Sequence, residues 1–297
     1  MAVLTRLRPS VGKDVLSFFE RSPKRVWTRN EIRDVLKHQR IAWDAPESLT
    51  TTRLISFLSA NGSLRRARVK PIEGSEYPPF ERYFWGEPGP FAVALSLRSG
   101  SYLSHGTAVF LHGLTDQIPH TVFVNKEQSH KGAGAGTSLS QAAVTKAFAH
   151  AQRQAHYVVM HGDYRIVLLN GKNTRRLEVS QLTGPGGETL EATKLERTLI
   201  DITVRPVYAG GVFEVLKAYQ TARERVSAAT LVATLRKIDY AYPYHQAIGF
   251  YMERAGYGGK ALDRLRSLGL NLDFYLTYQM KTPQYSREWR LFYPEGM

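Results

Sequence analysis

Hydrophobic residues recur at helical spacing in short segments near the start of the chain. Val15 and Phe19 share one face of Val11–Arg21, and Ser22-Pro23 ends that segment. A capping box, Thr28–Glu31, opens the next segment, because its threonine hydroxyl and its glutamate can each bond to the other residue's backbone amide. These patterns predict two amphipathic helices.

A third helix is predicted to end at Asn61-Gly62, but two residues compete for its start. Asp44 and Ser48 each carry a side chain that commonly caps helices. The residues expected to form its buried stripe are Leu54, Ile55 and Leu58.

Two strands follow the third helix. Leu64–Lys70 and Phe80–Trp85 are rich in strand-forming residues, and Pro71–Pro79 supplies a turn with glycine and proline. Three short helices followed by a two-stranded hairpin are the element order of a winged helix-turn-helix, a DNA-binding fold. The sequence therefore predicts such a domain over residues 1–88, with Glu87–Pro90 as the linker.

The remaining residues, 89–297, mix strand and helix patterns. A hairpin is predicted to turn at His161–Asp163, Thr193–Glu196 has a second capping-box pattern, and Ser227 can cap a later helix. Two aromatic segments, Asp273–Gln279 and Glu288–Tyr293, are predicted strands. We therefore expect an α+β protein, in which the winged helix-turn-helix precedes a larger mixed α+β domain with a helical C-terminal bundle.

Net charge adds an expectation about the partner. The 297 residues carry a formal charge of +14, which favours a polyanion. Residues 1–90 hold 16 Lys/Arg against 10 Asp/Glu, so positive charge is denser there than in the rest of the chain. The absence of cysteine excludes disulfides and makes the cytoplasm the expected location. No apolar run approaches the roughly 18–20 residues that span a bilayer, so no membrane partner is expected.

Small hydroxyl side chains and arginine crowd the first turns of the third helix. They suit a helix that enters the major groove of double-stranded DNA, where Ser/Thr reach phosphates or base edges and Arg pairs with guanine. The basic hairpin would lie along the adjacent backbone or minor groove, although winged helices also serve as protein-interaction modules. The predicted DNA-binding residues are Arg29, Arg33, Ser48, Thr50, Thr51, Thr52, Arg53, Arg65, Arg66, Arg68 and Lys70.

Motifs for catalysis are missing from the sequence. There is no H-E-x-x-H or G-x-S-x-G, and Gly132–Gly136 lacks the ending of a P-loop, so it is predicted to be a flexible loop. We expect no catalytic residues, cofactor or metal. One alternative is a phage-defence nuclease that uses Asp163 and Glu178 with Mg²⁺. Another is a protein-interaction module whose anchors would be Tyr219, Tyr240, Tyr242, Tyr244, Tyr251 and Tyr257.

Five segments also resemble those of a known family. They are L-E-R-T-L-I-D-I-T-V-R-P-V-Y-A-G-G (Leu195–Gly211), D-Y-A-Y-P-Y-H-Q-A-I-G-F-Y-M-E-R-A-G (Asp239–Gly256), Y-L-S-H-G-T-A-V-F-L-H-G-L-T-D-Q-I-P (Tyr102–Pro119), and the terminal D-F-Y-L-T-Y with W-R-L-F-Y-P. In these segments the chain resembles the AbiEi-type antitoxins, the transcriptional regulators of type IV abortive-infection toxin–antitoxin systems. The resemblance extends over nearly the whole chain.

This resemblance implies a separate role for each of the two predicted domains. The winged helix would bind inverted repeats in its own promoter and repress it. The larger domain would counteract a nucleotidyltransferase-like toxin, in general without a stable complex. The positions that match the family's basic DNA contacts are Arg29, Arg33, Arg53, Arg65, Arg66 and Arg68. No catalytic residue is implied, and no heptad pattern indicates an oligomeric state.

Overall fold

The structure is a computed structural model that describes residues 7–129 and 139–297. Within these ranges the protein is a mixed α+β fold with eleven α-helices and two β-sheets, which confirms the α+β part of the predicted fold class. The winged helix-turn-helix stays a prediction. The predicted loop Gly132–Gly136 lies outside the described residues. Among the helices that are described, none is long and apolar enough to cross a membrane.

The elements follow one another in this order along the chain. The helices are α1 (Pro9–Arg21), α2 (Arg29–Gln39), α3 (Thr51–Asn61), α4 (Pro90–Ser96), α5 (His105–Leu111), α6 (Gln141–Ala149), α7 (Leu195–Val204), α8 (Val212–Ala222), α9 (Ala228–Ile238), α10 (Tyr244–Arg254) and α11 (Gly259–Arg266). The strands are β1 (Val26–Trp27), β2 (Leu64–Pro71), β3 (Phe80–Trp85), β4 (Tyr102–Leu103), β5 (Thr121–Glu127), β6 (Val158–His161), β7 (Tyr164–Gly171), β8 (Val179–Thr183), β9 (Thr189–Thr193), β10 (Phe274–Tyr275), β11 (Pro283–Ser286) and β12 (Leu291–Pro294).

The first three helices pack around one apolar core. Phe19 of α1, Ile32 of α2 and Leu54 of α3 are fully buried in it. The hairpin of β2 and β3 closes this core, because Leu64 and Trp85 face each other across the two strands and both belong to it. Burial of such apolar surface, at roughly 25 cal/mol per Å², is what holds the short helices in place.

The capping box predicted for α2 is confirmed. The hydroxyl of Thr28 accepts a hydrogen bond from the backbone N–H of Glu31 at 3.2 Å, and the Glu31 carboxylate accepts one from the backbone N–H of Thr28 at 2.8 Å. Partial burial alone would raise the pKa of Glu31, but hydrogen bonds from Lys24 and from Thr28 lower it. The glutamate is therefore ionised at neutral pH, as the cap requires.

The predicted start of α3 is wrong. Its N-cap is Thr50, and neither Asp44 nor Ser48 begins the helix. Trp43 and Leu49 are both buried, so the chain between them turns before a helix can form. Asp44 also has a φ of 48°, whereas an N-cap residue normally has extended backbone.

The predicted end of α3 at glycine is confirmed. A Cβ atom on Gly62 would lie 2.7 Å from the ring of Trp85 and 2.9 Å from the side chain of Leu16, so no larger residue fits without movement. The predicted apolar stripe is confirmed except at Ile55, which is half-buried. Phe57 takes its place in the core, because α3 turns that side chain towards α1.

A nine-stranded sheet runs through the middle of the molecule in the order β1-β3-β2-β6-β7-β5-β4-β9-β8. Strands β6 and β7 form the predicted hairpin, and β5 and β7 pair in parallel. Strand β2 pairs with β3 as far as Val69, and then with β6 at Lys70 and Pro71. One sheet thus continues across residue 88, where α4 follows, and the division into domains 1–88 and 89–297 stays a prediction.

The largest apolar core lies among helices α7–α11 and the small sheet β10-β12-β11. Gly249 of α10 is so close to the ring of Trp289 that an added Cβ would lie 2.1 Å from it. The amide of Gln246 donates to the backbone carbonyls of Trp289 at 2.7 Å and Leu272 at 2.9 Å. These contacts fix the C-terminal strands to α10.

Element ends in this half match the sequence predictions only in part. Ser227 caps α9 as predicted. The N-cap of α7 is Lys194, whose side chain makes no capping bond, so the Thr193 prediction is wrong. Thr193 instead ends β9, and its hydroxyl lies 2.8 Å from that of Thr198. The predicted strand Asp273–Gln279 is reduced to β10, and β11 was not predicted.

Candidate nucleic-acid interface

The first turn of α3 lies beside α2 at the protein surface. The guanidinium of Arg29 on α2 donates to the hydroxyl of Thr52 on α3 at 2.7 Å. Both residues are exposed, as are Thr50 and Arg53, whereas Thr51 is half-buried. The structure therefore brings the predicted DNA-binding residues of the two helices into one patch.

Two arginines hold the loop that leads into α3. Arg53 Nη1 donates to the backbone carbonyl of Ser48 at 3.1 Å. Arg40, at the C-terminal end of α2, donates to the carbonyls of Pro46 at 2.5 Å and Leu49 at 2.9 Å. Sequence reasoning missed Arg40. Its position was the available signal, because basic side chains near helix C-termini often bond to backbone carbonyls.

The hydroxyl of Thr50 already has a structural partner. It accepts a hydrogen bond from the backbone N–H of Arg53 at 3.3 Å. A hydroxyl has one donor and two acceptor positions, so Thr50 can still donate to a phosphate oxygen. The start of α3 adds the partial positive charge of a helix N-terminus to the same place.

The four basic residues of β2 divide between the two faces of the hairpin. Because side chains alternate along a strand, Arg66, Arg68 and Lys70 share one face. Leu64 lies on that face as well and belongs to the core of the three helices. The row therefore runs along the side of the hairpin on which the helices pack. Arg65 points to the opposite face.

Acidic neighbours pair with three of the predicted arginines. The pairs are Arg33–Asp34 at 3.1 Å, Arg65–Glu87 at 2.6 Å, and Arg66–Glu81. The hydrogen bond from Arg66 lowers the pKa of Glu81. Surface ion pairs of this kind contribute only about 0–1 kcal/mol, so a phosphate can replace the carboxylate at little cost.

Arg68 and Lys70 make no ion pair within the part of the chain that the structure describes. Their charges are exposed and directed to solvent. On α2, Arg33 follows Arg29 by four residues and so lies on the same face. We call the following set the N-terminal basic surface: Arg29, Arg33, Ser48, Thr50, Thr51, Thr52, Arg53, Arg66, Arg68 and Lys70.

The two carboxylates of the nuclease alternative are far apart. Asp163 lies in the turn before β7, and Glu178 follows the other end of that strand, which spans roughly 23 Å. Glu178 pairs with Lys194 at 3.0 Å. Within residues 7–129 and 139–297, no three His, Asp or Glu side chains are grouped so that they could hold a metal ion.

The tyrosines of the interaction-module alternative lie in or against the C-terminal core. Tyr219 and Tyr251 are fully buried and stack with their ring centroids 5.3 Å apart. Tyr244 is buried, and the half-buried members are Tyr240, Tyr242 and Tyr257. Their rings contribute chiefly to packing.

Comparison with known proteins adds information on the fold. No protein-family model matches the chain, and no curated protein matches it. Among solved structures, the chain is similar to the crystal structure of the RV2827C protein from Mycobacterium tuberculosis, with a TM-score of 0.54 and 15% sequence identity. The similarity covers 97% of this chain and 93% of that protein. At this level of identity it establishes a shared fold.

Proposed function

We propose that this protein is a transcriptional repressor that binds double-stranded DNA through an N-terminal winged helix-turn-helix. The observation that carries the proposal is the N-terminal basic surface. It combines an exposed, arginine-bearing first turn of α3, tied to α2 by the Arg29–Thr52 bond, with a basic row on the hairpin.

The parts of this surface suit the two kinds of contact that DNA recognition needs. Helix α3 would enter the major groove with Thr50–Arg53 leading, because arginine and small hydroxyls at a helix N-terminus reach base edges and phosphates. Along β2, Arg66 and Lys70 each stand about 7 Å from Arg68, since strand residues two apart are separated by that distance. Such a row can follow a phosphate backbone.

The resemblance to AbiEi-type antitoxins supports a narrower form of the proposal. It rests on Leu195–Gly211, Asp239–Gly256 and the other segments described above. In this form the protein binds inverted repeats in its own promoter. It also counteracts a nucleotidyltransferase-like toxin, without forming a stable complex with it.

The DNA-binding part is tested by the triple variant Arg53→Ala, Arg66→Ala and Arg68→Ala. Fluorescence anisotropy would measure its affinity for a labelled duplex from upstream of its own gene. We expect a loss of at least about 100-fold, because each base or phosphate contact contributes on the order of 1 kcal/mol or more.

A matched control removes the same charge elsewhere. Lys260, Arg264 and Arg287 are exposed and lie in the C-terminal half, so their triple alanine variant should bind DNA within about twofold of the wild type if the charge position matters. Unchanged DNA affinity of the Arg53/Arg66/Arg68 variant, with an unaltered melting temperature, would refute the proposed interface.

The antitoxin part is tested separately by co-expression with a nucleotidyltransferase-like reading frame adjacent to the gene. The protein should relieve growth arrest caused by that frame without co-purifying with its product. Absence of such a frame, or growth arrest that persists, would contradict the antitoxin role and leave the DNA-binding proposal to its own test.

A further inference from the structure

A cleft of about 710 Å³ opens where β5 and β7 end. These strands are parallel, so their carboxyl ends reach the same edge of the sheet, where Asn125 and Gly171 line the cleft. Helix α7 lines it from another side with Arg197 and Asp201. Small ligands commonly bind at this edge of parallel strands. We call this feature the central cleft.

Positive charge predominates among the lining residues that are described. The basic ones are Arg153, Lys172, Arg197 and Arg205, and the one acidic residue is Asp201, which leaves a net charge of +3. Sequence separation hides this convergence, because the four cations come from three different parts of the chain. A concave site with one sign of charge concentrates ligands of the opposite sign.

Among the described residues, a carboxylate forms an ion pair with one of these cations, Arg197. Arg197 Nε lies 2.8 Å from Asp201 Oδ1, and both side chains are almost fully buried. Arg205 instead donates to the backbone carbonyl of Arg153 at 3.2 Å, and Lys172 donates to the carbonyl of Asp239. A carbonyl satisfies a donor without cancelling its charge, so Arg153, Lys172 and Arg205 keep a positive potential in the cleft.

His105 is a neutral polar group in the same cleft. Burial, with the nearby charges of Arg197 and Arg205, lowers its pKa to about 4 despite the opposing effect of Asp201. Its φ of 52° is uncommon for a residue other than glycine, and strained backbone of this kind clusters at functional sites. The ring is therefore uncharged at neutral pH, and because its Nδ1 lies 2.9 Å from the Ser104 hydroxyl, Nε2 is the nitrogen left for a ligand.

The cleft is also lined by side chains of the types that recognise nucleobases in other proteins. The rings of Tyr208 and Tyr240 line it, as do the side-chain amides of Asn173 and Gln154. The amide of Asn125 is buried and already bonds to the Tyr102 hydroxyl and the backbone N–H of Gly171. Aromatic side chains stack on bases, and amides can hydrogen-bond to base edges. The volume exceeds what a phosphate ion alone would fill and falls within the range of about 300–1,000 Å³ that small-molecule sites occupy.

We propose that the central cleft binds a nucleoside phosphate. Its phosphates lie against Arg153, Lys172 and Arg205, and its base lies among the aromatic and amide side chains. The ligand is a free nucleotide, and its site is distinct from the N-terminal basic surface. This proposal does not depend on the DNA-binding role.

Isothermal titration calorimetry on the full chain tests the proposal with three kinds of probe: the four ribonucleoside triphosphates, tripolyphosphate, and the unphosphorylated nucleosides. At least one triphosphate should bind, and tripolyphosphate and the matching nucleoside should each bind at least about tenfold more weakly. The double variant Lys172→Ala and Arg205→Ala should bind the triphosphate about tenfold more weakly or worse, because it removes two of the three cations placed against the phosphates. The matched variant Lys260→Ala and Arg264→Ala should bind like the wild type.

Several results would overturn the proposal. They are no heat with any triphosphate, equal binding of tripolyphosphate, or undiminished binding by the folded Lys172/Arg205 variant. Binding of a single-stranded oligonucleotide with no binding of free nucleotides would also overturn it. If Arg205→Ala prevents folding, the single variant Lys172→Glu replaces the double variant. Lys172 is exposed, so the protein should still fold, and the reversed charge should abolish nucleotide binding.

Discussion

The N-terminal basic surface and the central cleft both carry an excess of positive charge, but they hold it differently. On the surface, Arg53, Arg68 and Lys70 stand exposed along a helix and a strand. In the cleft, the half-buried Arg205 and the exposed Arg153 and Lys172 converge on one concavity, which the buried Arg197 also lines. Exposed charges in a row suit a long polyanion whose counterions they displace. Converging, partly desolvated charges suit one small anion, because electrostatic interactions strengthen as water is excluded.

The two sites should differ most in how strongly their ligand affinities depend on salt concentration. If the surface contacts six or more phosphates, affinity for DNA should fall by about 10³-fold or more between roughly 50 and 200 mM salt. Nucleotide binding in the cleft involves about three cations and should change far less. Titration of both ligands over this range measures how each affinity falls with salt concentration. Equal salt dependence would show that the two sites do not differ in the number of their ionic contacts.

Removal of a single cation should reveal the difference in burial. Arg197→Met leaves Asp201 buried without its partner, so we expect the free energy of unfolding to fall by about 3–5 kcal/mol. Arg66→Met breaks the exposed pair with Glu81 and should change the free energy of unfolding little, because solvent screens exposed ion pairs. Urea unfolding followed by circular dichroism compares the two variants. Similar losses would contradict the distinction.

Stability should depend on pH through His105. Its folded pKa of about 4 lies below the ordinary value of 6.5, so the unfolded state binds more protons between these values. The contribution of His105 to stability is therefore complete above pH 6.5 and is lost as pH falls towards 4. Its size should be about 1–3 kcal/mol after allowance for partial exposure. His105→Asn, which tolerates the positive φ, should flatten this dependence in urea titrations, and an unchanged pH profile would contradict the assignment.

Removal of the α2 cap, which changes no charge, should have the smallest effect on the two binding sites. Thr28→Ala removes the cap and should lower the free energy of unfolding by about 1 kcal/mol, whereas Thr28→Ser should keep most of it. Chemical denaturation provides the measurement. DNA affinity should fall only slightly and nucleotide binding not at all. A loss of nucleotide affinity would show that the two regions are coupled.

Local signals in the sequence predicted the elements better than their arrangement. The Thr28–Glu31 box and the Ser227 cap form as predicted, because helix starts depend on residues a few positions apart. The start of α3 was missed because burial of Trp43 and Leu49 overrides the capping preference of Asp44.

Long-range pairing was beyond the sequence patterns. Nothing local indicates that Lys70 pairs with Met160 or that β4 and β9 run side by side. The central cleft was missed for the same reason, since His105, Lys172 and Arg205 meet only through the sheet topology. By contrast, the exposed basic residues near α3 could be selected from sequence, because they lie within one contiguous segment.

The central claim is that the N-terminal basic surface reads DNA, and one comparison tests it most directly. The affinity of the intact protein would be measured for the duplex upstream of its own gene and for a scrambled duplex of equal length and composition, at about 150 mM salt. We predict that the upstream duplex binds at least about 10³-fold more tightly, the lower end of the range for specific recognition. Equal affinity for the two duplexes, or no binding to either, would contradict the claim.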